Sequence, residues 1–192
     1  MNKELGLKKG NFVFFLGGVD ERRRVDELIF AYNQVRSEGI DLHLVLVGYD
    51  FQSIKTVYSP STRRAITSSS YNDQIHLLGY ISDGEKAWLY DHALAFIFPT
   101  QFEGFGIMLV ESLSVGCPVI TYSNSSLVEL AGPNTHLVRD WYEISDAIKD
   151  IRTMPTDERH ILSASGIEWA NKFKWQASAA ILVSEIRELS QG

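Results

Sequence analysis

The sequence predicts an α/β protein built on a doubly wound, six-stranded parallel sheet. Short apolar runs recur at Phe12–Leu16, Leu42–Val47, Ile75–Leu78, Ala95–Phe98, Val119–Tyr122 and His136–Val138. The segments between them place apolar residues at helical spacing, so strand and helix alternate as in βαβ units. Several runs are apolar throughout and end at glycine or proline, as strands buried on both faces do. Right-handed crossovers then give a strand order like 3-2-1-4-5-6, with every strand-to-helix turn on one carboxyl edge.

The 192 residues suit one domain. Residues 1–11 are polar and read as a flexible lead-in, 12–172 as the sheet domain and 173–192 as a C-terminal helix. A formal net charge of −6 gives no general attraction to nucleic acid or to an anionic membrane, so any anion site must be made locally. No apolar run approaches the ~20 residues needed to span a bilayer, and no leader is evident, which reads as a cytoplasmic protein. The single Cys117, between Gly116 and Pro118, reads as a small buried residue rather than a reactive thiol.

Taken in order, Phe12–Leu16 is an apolar strand stopped by Gly17 and Gly18. Val25, Leu28, Ile29, Tyr32 and Val35 then form one face of a helix that ends at Gly39. Its head carries Arg22, Arg23 and Arg24, where cations are disfavoured by the helix dipole unless an anion sits among them. The turn lacks G-x-G-x-x-G, so no dinucleotide fingerprint is present. Leu42–Val47 is the second strand, with His43 as an ordinary strand-end histidine. Residues 52–68 contain Pro60, which predicts two short helical pieces or a longer loop. Ile75–Leu78 follows as the third strand, and Ser82 with Glu85 has capping-box spacing for a helix through Trp88, Leu89 and Tyr90.

Residues 95 to 120 read as strand, glycine loop, helix and strand, with Gly104 and Gly106 in the loop and Gly116 as the helix stop. Such a loop delivers the amides of a helix N-terminus to the carboxyl edge of the sheet, where open α/β sheets bind phosphorylated ligands. Two carboxylates, Glu103 and Glu111, bracket that anion site. Helical side chains lean toward the N-terminus, so Glu111 can reach a group seated over the loop. Acids tolerated beside a phosphate site suggest hydroxyl acceptors, here two sets of them. Further on, Ser123–Ser126 is a polar loop and a short helix spans about Leu127 to Ala131. Asp140 and Glu143 cap a helix carrying Ile144, Ala147, Ile148 and Ile151, and Pro155 ends it. Asp157 and Glu158 suit the start of another helix. Ala177, Ile181, Leu182 and Ile186 in the last run either cover the domain's own core or leave an apolar stripe that wants a partner.

The nonapeptide Glu103-Gly-Phe-Gly-Ile-Met-Leu-Val-Glu111 resembles the E-x7-E motif of retaining glycosyltransferases of the GT-B fold, the family-4 type also called glycosyl transferases group 1. The resemblance extends over roughly residues 11 to 190 and implies the Rossmann-like, donor-binding C-terminal half of such an enzyme. It implies that Glu103 faces the transferred sugar and Glu111 holds the nucleotide ribose. Gly104 and the amides of Phe105, Gly106 and Ile107 would meet the diphosphate. Gly17, Gly18, Arg22 and Arg23 match the first-turn pattern G-G-x-x-x-R-K, whose basic residues contact the diphosphate, although many members have an arginine where Gly18 stands. Tyr80 and Ile81 fall where the family lays a segment against the base. Glu129 also has a family-like position, with a plain surface role equally open.

The implied donor is a nucleoside diphosphate sugar, with no metal or other cofactor expected. The implied partner is an N-terminal acceptor domain outside this sequence, through which alone any peripheral membrane association would come. Sugar, base and acceptor stay open. A non-catalytic module on a degenerate version of this fold and another nucleotide-sugar enzyme on the same fold remain as other readings.

Overall fold

The computed structural model describes residues 5–190; Met1–Glu4, Gln191, Gly192 and the side chain of Ala177 lie outside the described residues. Its strands are β1 (Phe12–Leu16), β2 (His43–Val47), β3 (Ile75–Leu77), β4 (Ala95–Phe98), β5 (Val119–Tyr122) and β6 (Thr135–Val138). They form one sheet in the order β3-β2-β1-β4-β5-β6, with each neighbouring pair parallel. The order turns back between β1 and β4, the switch point at which an open sheet leaves a crevice beyond its carboxyl ends. Four of the five residues of β1 and all of β4 are buried, which accounts for their apolar runs.

Helices α1 (Val25–Ser37), α2 (Pro60–Ser68), α3 (Asp83–His92), α4 (Ile107–Ser114), α5 (Leu127–Leu130), α6 (Trp141–Thr153) and α7 (Thr156–Ala170) cover the sheet, and α8 (Trp175–Leu189) follows. Aromatic rings fill the centre: Phe14 packs on Phe96 at 5.0 Å between centroids, and Phe15 on Phe98 at 6.3 Å.

Local differences from expectation have identifiable causes. Pro60 begins α2 instead of interrupting a helix. It occupies the first turn, where its missing N–H costs no helical bond, and Ser59 Oγ caps the end by accepting from the Thr62 amide. Of the three arginines only Arg24 stands at the head of α1, as its N-cap. Glu21–Arg23 form a separate 3-10 turn, Arg24 adopts a left-handed conformation (φ 47°), and the first turn of α1 instead carries Asp26 and Glu27. Residues 5–11 are tied to the domain: Leu7 is buried, the Gly10 amide donates to the His92 carbonyl at 2.8 Å, and Arg152 Nη1 donates to the Gly10 carbonyl at 2.9 Å. The first turn of α8 borders α4, with Trp175 and Ser178 walling a cavity beside Ile107 and Val110. Every described side chain of α8 is exposed, so its apolar residues cover no core in this chain.

Candidate active site

Three loops converge at the carboxyl edge, after β1, β4 and β5. The first follows Gly17, which carries φ 153°; a Cβ there would lie 3.0 Å from the Phe15 ring and 3.4 Å from Arg23 Nη1. Gly18 packs against Asp50, which accepts the Val19 amide at 3.1 Å and so fixes the turn from the side of β2. The 3-10 turn then aims Arg22 and Arg23 across the edge. Arg23 is almost covered, its guanidinium 5.0 Å above the Phe98 ring.

Both arginines meet Glu103. Arg23 Nη1 lies 3.0 Å from Glu103 Oε1 and Arg22 Nη1 3.4 Å from the same atom. Arg22 also donates to the Phe102 carbonyl at 2.8 Å, and the Gln101 amide donates to the Arg22 carbonyl at 2.7 Å, so the two loops are stitched together. Asp20 balances the pair from the other side, 3.0 Å from Arg22 Nε and 3.6 Å from Arg23 Nε. Even so, buried Arg23 Nε and Nη1 have no aligned hydrogen-bond acceptor: the carboxylates are close enough for charge but off the N–H directions.

The loop after β5 sets the position of Glu103. Thr100 Oγ1 donates to Glu103 Oε1 at 3.3 Å, the Glu103 amide donates to Ser125 Oγ at 3.2 Å, and Ser126 Oγ reaches the carbonyls of Glu103 and Phe105. Ser125 holds φ 43°, a conformation rare for a non-glycine residue. Sequence reasoning gave this loop no role. Its local signal was weak, since serines in a polar turn carry no periodicity and their partners lie more than 20 residues away.

Past Glu103 the chain enters α4. Gly104 is open to solvent, and a Cβ there would meet nothing within 4 Å. Gly106 caps the helix at φ 94°, pressed so closely on Leu127 that a Cβ would lie 2.8 Å from its Cδ2. The amides of Phe105, Gly106 and Ile107 have no acceptor among the described residues, so this N-terminus presents free donors at the edge. One turn on, Glu111 is held by Lys86 Nζ at 3.1 and 3.3 Å and by the Tyr90 hydroxyl at 3.3 Å. Burial, together with the Glu111 charge, pushes the Tyr90 phenol far up, so it stays protonated as a donor. Neither Lys86 nor Tyr90 was singled out from sequence.

Tyr80 and Ile81 lie between β3 and α3, directly before the Ser82–Glu85 capping box. Tyr80 is almost wholly exposed and Ile81 partly buried, and the helix that follows them carries Lys86 to Glu111. Glu129, on α5, is exposed and pairs with no cation among the described residues. Cys117 is buried, and desolvation pushes its thiol up to about 12. Among the described residues no three His, Cys, Asp or Glu side chains converge on a point that could hold a metal ion.

The edge thus combines a glycine turn with two arginines, free amides at a helix N-terminus, and two carboxylates held on either side. Residues 1–169 match the family model of glycosyl transferases group 1, and the chain belongs to that family. It is 28% identical over 169 residues to the O-antigen chain mannosyltransferase B of Escherichia coli, a match covering 86% of this chain and 42% of that protein. It is 26% identical over 165 residues to the MMP alpha-(1->4)-mannosyltransferase of Mycolicibacterium hassiacum, covering 83% and 38%. Among solved structures, the sucrose-phosphate synthase of Thermosynechococcus elongatus superposes with a TM-score of 0.81 at 25% identity, covering 99% of this chain and 48% of that one. The Anabaena protein HepE, solved in complex with UDP-glucose, shares the fold at a TM-score of 0.79 and 17% identity, covering 97% and 51%. The chain therefore spans about two fifths to a half of the proteins it matches.

Proposed function

We propose that this chain is the donor-binding half of a retaining glycosyltransferase that moves a hexose, of mannosyl type, from a nucleoside diphosphate sugar to an acceptor. The observation that carries the reading is Arg23: a buried guanidinium with two unaligned N–H groups, beside free helix amides and in charge contact with the first glutamate of the E-x7-E motif. Such an arrangement lacks an anion that accepts in line.

The diphosphate of a donor would supply it. As the glycosidic bond breaks, the leaving diphosphate gains negative charge, and Arg23, Arg22 and the amides of Phe105 to Ile107 stabilise that charge in place. Once the arginines turn to phosphate, Glu103 is released to accept hydrogen bonds from the sugar and orient it. Glu111, already fixed by Lys86 and Tyr90, accepts from the ribose hydroxyls, while the Tyr80–Ile81 segment lies against the base. No step in this scheme requires a metal ion. The mannosyl assignment rests on the names of the relatives, and the reacting end of the acceptor is placed by a half of the enzyme outside this sequence.

Isothermal titration of the folded chain with UDP, GDP and ADP tests the donor half. Saturable heat with one of them, reduced in Arg23→Ala, is expected; no heat with any of them overturns the reading. The chain alone is expected to transfer no sugar to an acceptor, and turnover by these residues would contradict the division of labour.

A further inference from the structure

A second surface, away from the donor edge, has the chemistry of a sugar site. A shallow groove of about 580 Å³ runs beside α1, between the end of α2 and the start of α6. Phe30, Tyr71 and Trp141 supply its aromatic surface, with Tyr142 stacked on Trp141 at 3.7 Å and Arg36 5.1 Å from the Tyr71 ring centre, and Asn33, Gln34 and Ser37 supply its polar atoms; the remaining lining residues are serines. None of the lining residues is charged, in a chain in which 22% of residues are. Phe30 and Trp141 meet edge to face, with centroids 6.0 Å apart and planes at 66°. The polar groups are fixed in advance. Asn33 Oδ1 accepts from Ser69 Oγ at 2.6 Å, which leaves its amide N–H groups to donate; Gln34 Nε2 donates to Glu38 at 3.0 Å, which leaves its carbonyl to accept. Glu38, the acid that Gln34 bonds, also pairs with Lys149.

The groove is not isolated from the reacting edge. Trp141 also walls a cavity of about 470 Å³ whose lining includes Gln101, Tyr122, Ser123 and Asn124, beside the loop that carries Glu103, together with the charged Glu27, Arg139 and Asp140. One indole is thus shared between the carboxyl edge and the outer groove.

Resting on the glycosyltransferase reading, we propose that a neutral glycan, the acceptor or product chain, lies along this groove, with sugar rings on Phe30 and Trp141 and hydroxyls on Asn33 and Gln34. Aromatic faces take the apolar C–H faces of a pyranose, and a neutral amide offers a donor or an acceptor to a hydroxyl with no desolvated charge. A glycan carrying acid groups would find no free cation among the lining side chains: Arg36, 5.1 Å from the centre of the Tyr71 ring, is already held by Asp41 and the Leu42 carbonyl.

The test is a titration of the folded chain with linear mannohexaose and maltohexaose, with hexagalacturonate as the charged control. Intrinsic tryptophan fluorescence and saturation-transfer NMR give the readout. Saturable binding of a neutral hexaose, unchanged by salt, is expected, with affinity reduced by about tenfold or more in Trp141→Ala and nucleoside diphosphate binding unaltered. Because Trp141→Ala removes a half-buried ring, Ser70→Arg provides a second variant at an exposed groove position and should give the same loss. The proposal is overturned if neither hexaose binds, if binding survives both substitutions, if hexagalacturonate binds equally well, or if the groove proves to be a dimer contact that Trp141→Ala abolishes. A chain that takes a neutral hexaose but no nucleoside diphosphate would uphold the groove and overturn the donor reading.

Discussion

At the scale of single residues, the instructive contact is the one between Glu103 and the arginines. The carboxylate stands where it partly neutralises Arg22 and Arg23, so on the proposed reading donor binding would be an exchange of partners rather than the filling of an empty site. The two sides of the pair should then respond differently to mutation. Arg23→Ala should weaken nucleoside diphosphate binding by roughly 10- to 100-fold, the equivalent of about 1.5–3 kcal/mol for charge-assisted bonds. Glu103→Gln should leave that affinity equal or higher, because the competing charge is gone, while transfer by the complete enzyme falls by at least about tenfold. Parallel calorimetry and initial-rate measurements decide it, and an equal loss of nucleotide affinity in both variants would end the exchange argument. Cys117 provides a pH test of the core. Its thiol rises from 9.0 to about 12 on burial. Below pH 9 the thiol is protonated in the folded and unfolded chains alike, so its contribution is fully present. Between pH 9 and about 12 only the unfolded chain releases the proton, and stability declines as pH rises, by up to about 1.4 kcal/mol per pH unit. Cys117→Ala should remove that component from denaturation curves recorded across this window, and identical pH slopes for the two proteins would contradict it.

At the scale of elements, α4 ties the motif together. Its N-terminus offers amides, its cap Gly106 fits against Leu127, and its second turn brings Glu111 to Lys86 and Tyr90 on α3. Gly106→Ala should therefore destabilise the fold by about 1–3 kcal/mol, through a φ that alanine avoids and a close contact with Leu127; a thermal or urea midpoint unchanged from wild type would refute this. Glu111→Gln is a finer probe. If the carboxylate accepts from ribose, wild type should prefer a ribonucleoside diphosphate over its dideoxy analogue, and the variant should lose most of that preference, roughly tenfold or more. The same helix shows what could be read in advance. Strand runs, the glycine loop and the E-x7-E spacing are local patterns and were legible in the chain, as was the sheet order that brings the turns to one edge. The contact of Arg23 with Glu103, the hold of Ser125 and Ser126 on the Glu103 loop and the pairing of Lys86 with Glu111 join residues more than 20 positions apart. No periodicity encodes them. The left-handed Arg24 and the start of α2 at Pro60 were missed for another reason: both depend on how a turn ends, where propensity is weakest.

At the scale of the whole molecule, the C-terminal segment changes from partly buried to exposed after Phe173. That ring packs 6.3 Å from both Phe105 and Trp169, and the Trp169 indole donates to the Leu130 carbonyl at 3.0 Å, while the first turn of α8 only walls a cavity with α4 through Trp175 and Ser178. Beyond them Leu182, Ile186 and Leu189 repeat at helical spacing and are 60%, 56% and 82% exposed. An apolar stripe of this kind contributes little to the stability of the chain that carries it, because hydrophobic stabilisation scales with area removed from water. Deleting residues 175–192 should therefore leave the urea midpoint within about 0.5 kcal/mol of wild type, the range of surface changes. Phe173→Ala, in contrast, should cost about 1–3 kcal/mol, a partly buried aromatic falling below the 3–5 kcal/mol of a fully buried one. The stripe should instead show itself in association: the intact chain should self-associate at concentrations where the truncated chain stays monomeric by sedimentation, and Leu182→Glu with Ile186→Glu should reproduce the truncation. A large loss of stability on removing α8 would mean that the helix covers this domain after all. A marginal loss together with restored monodispersity would mark it as a surface for a partner, consistent with a chain that covers 48% of the sucrose-phosphate synthase on which it superposes.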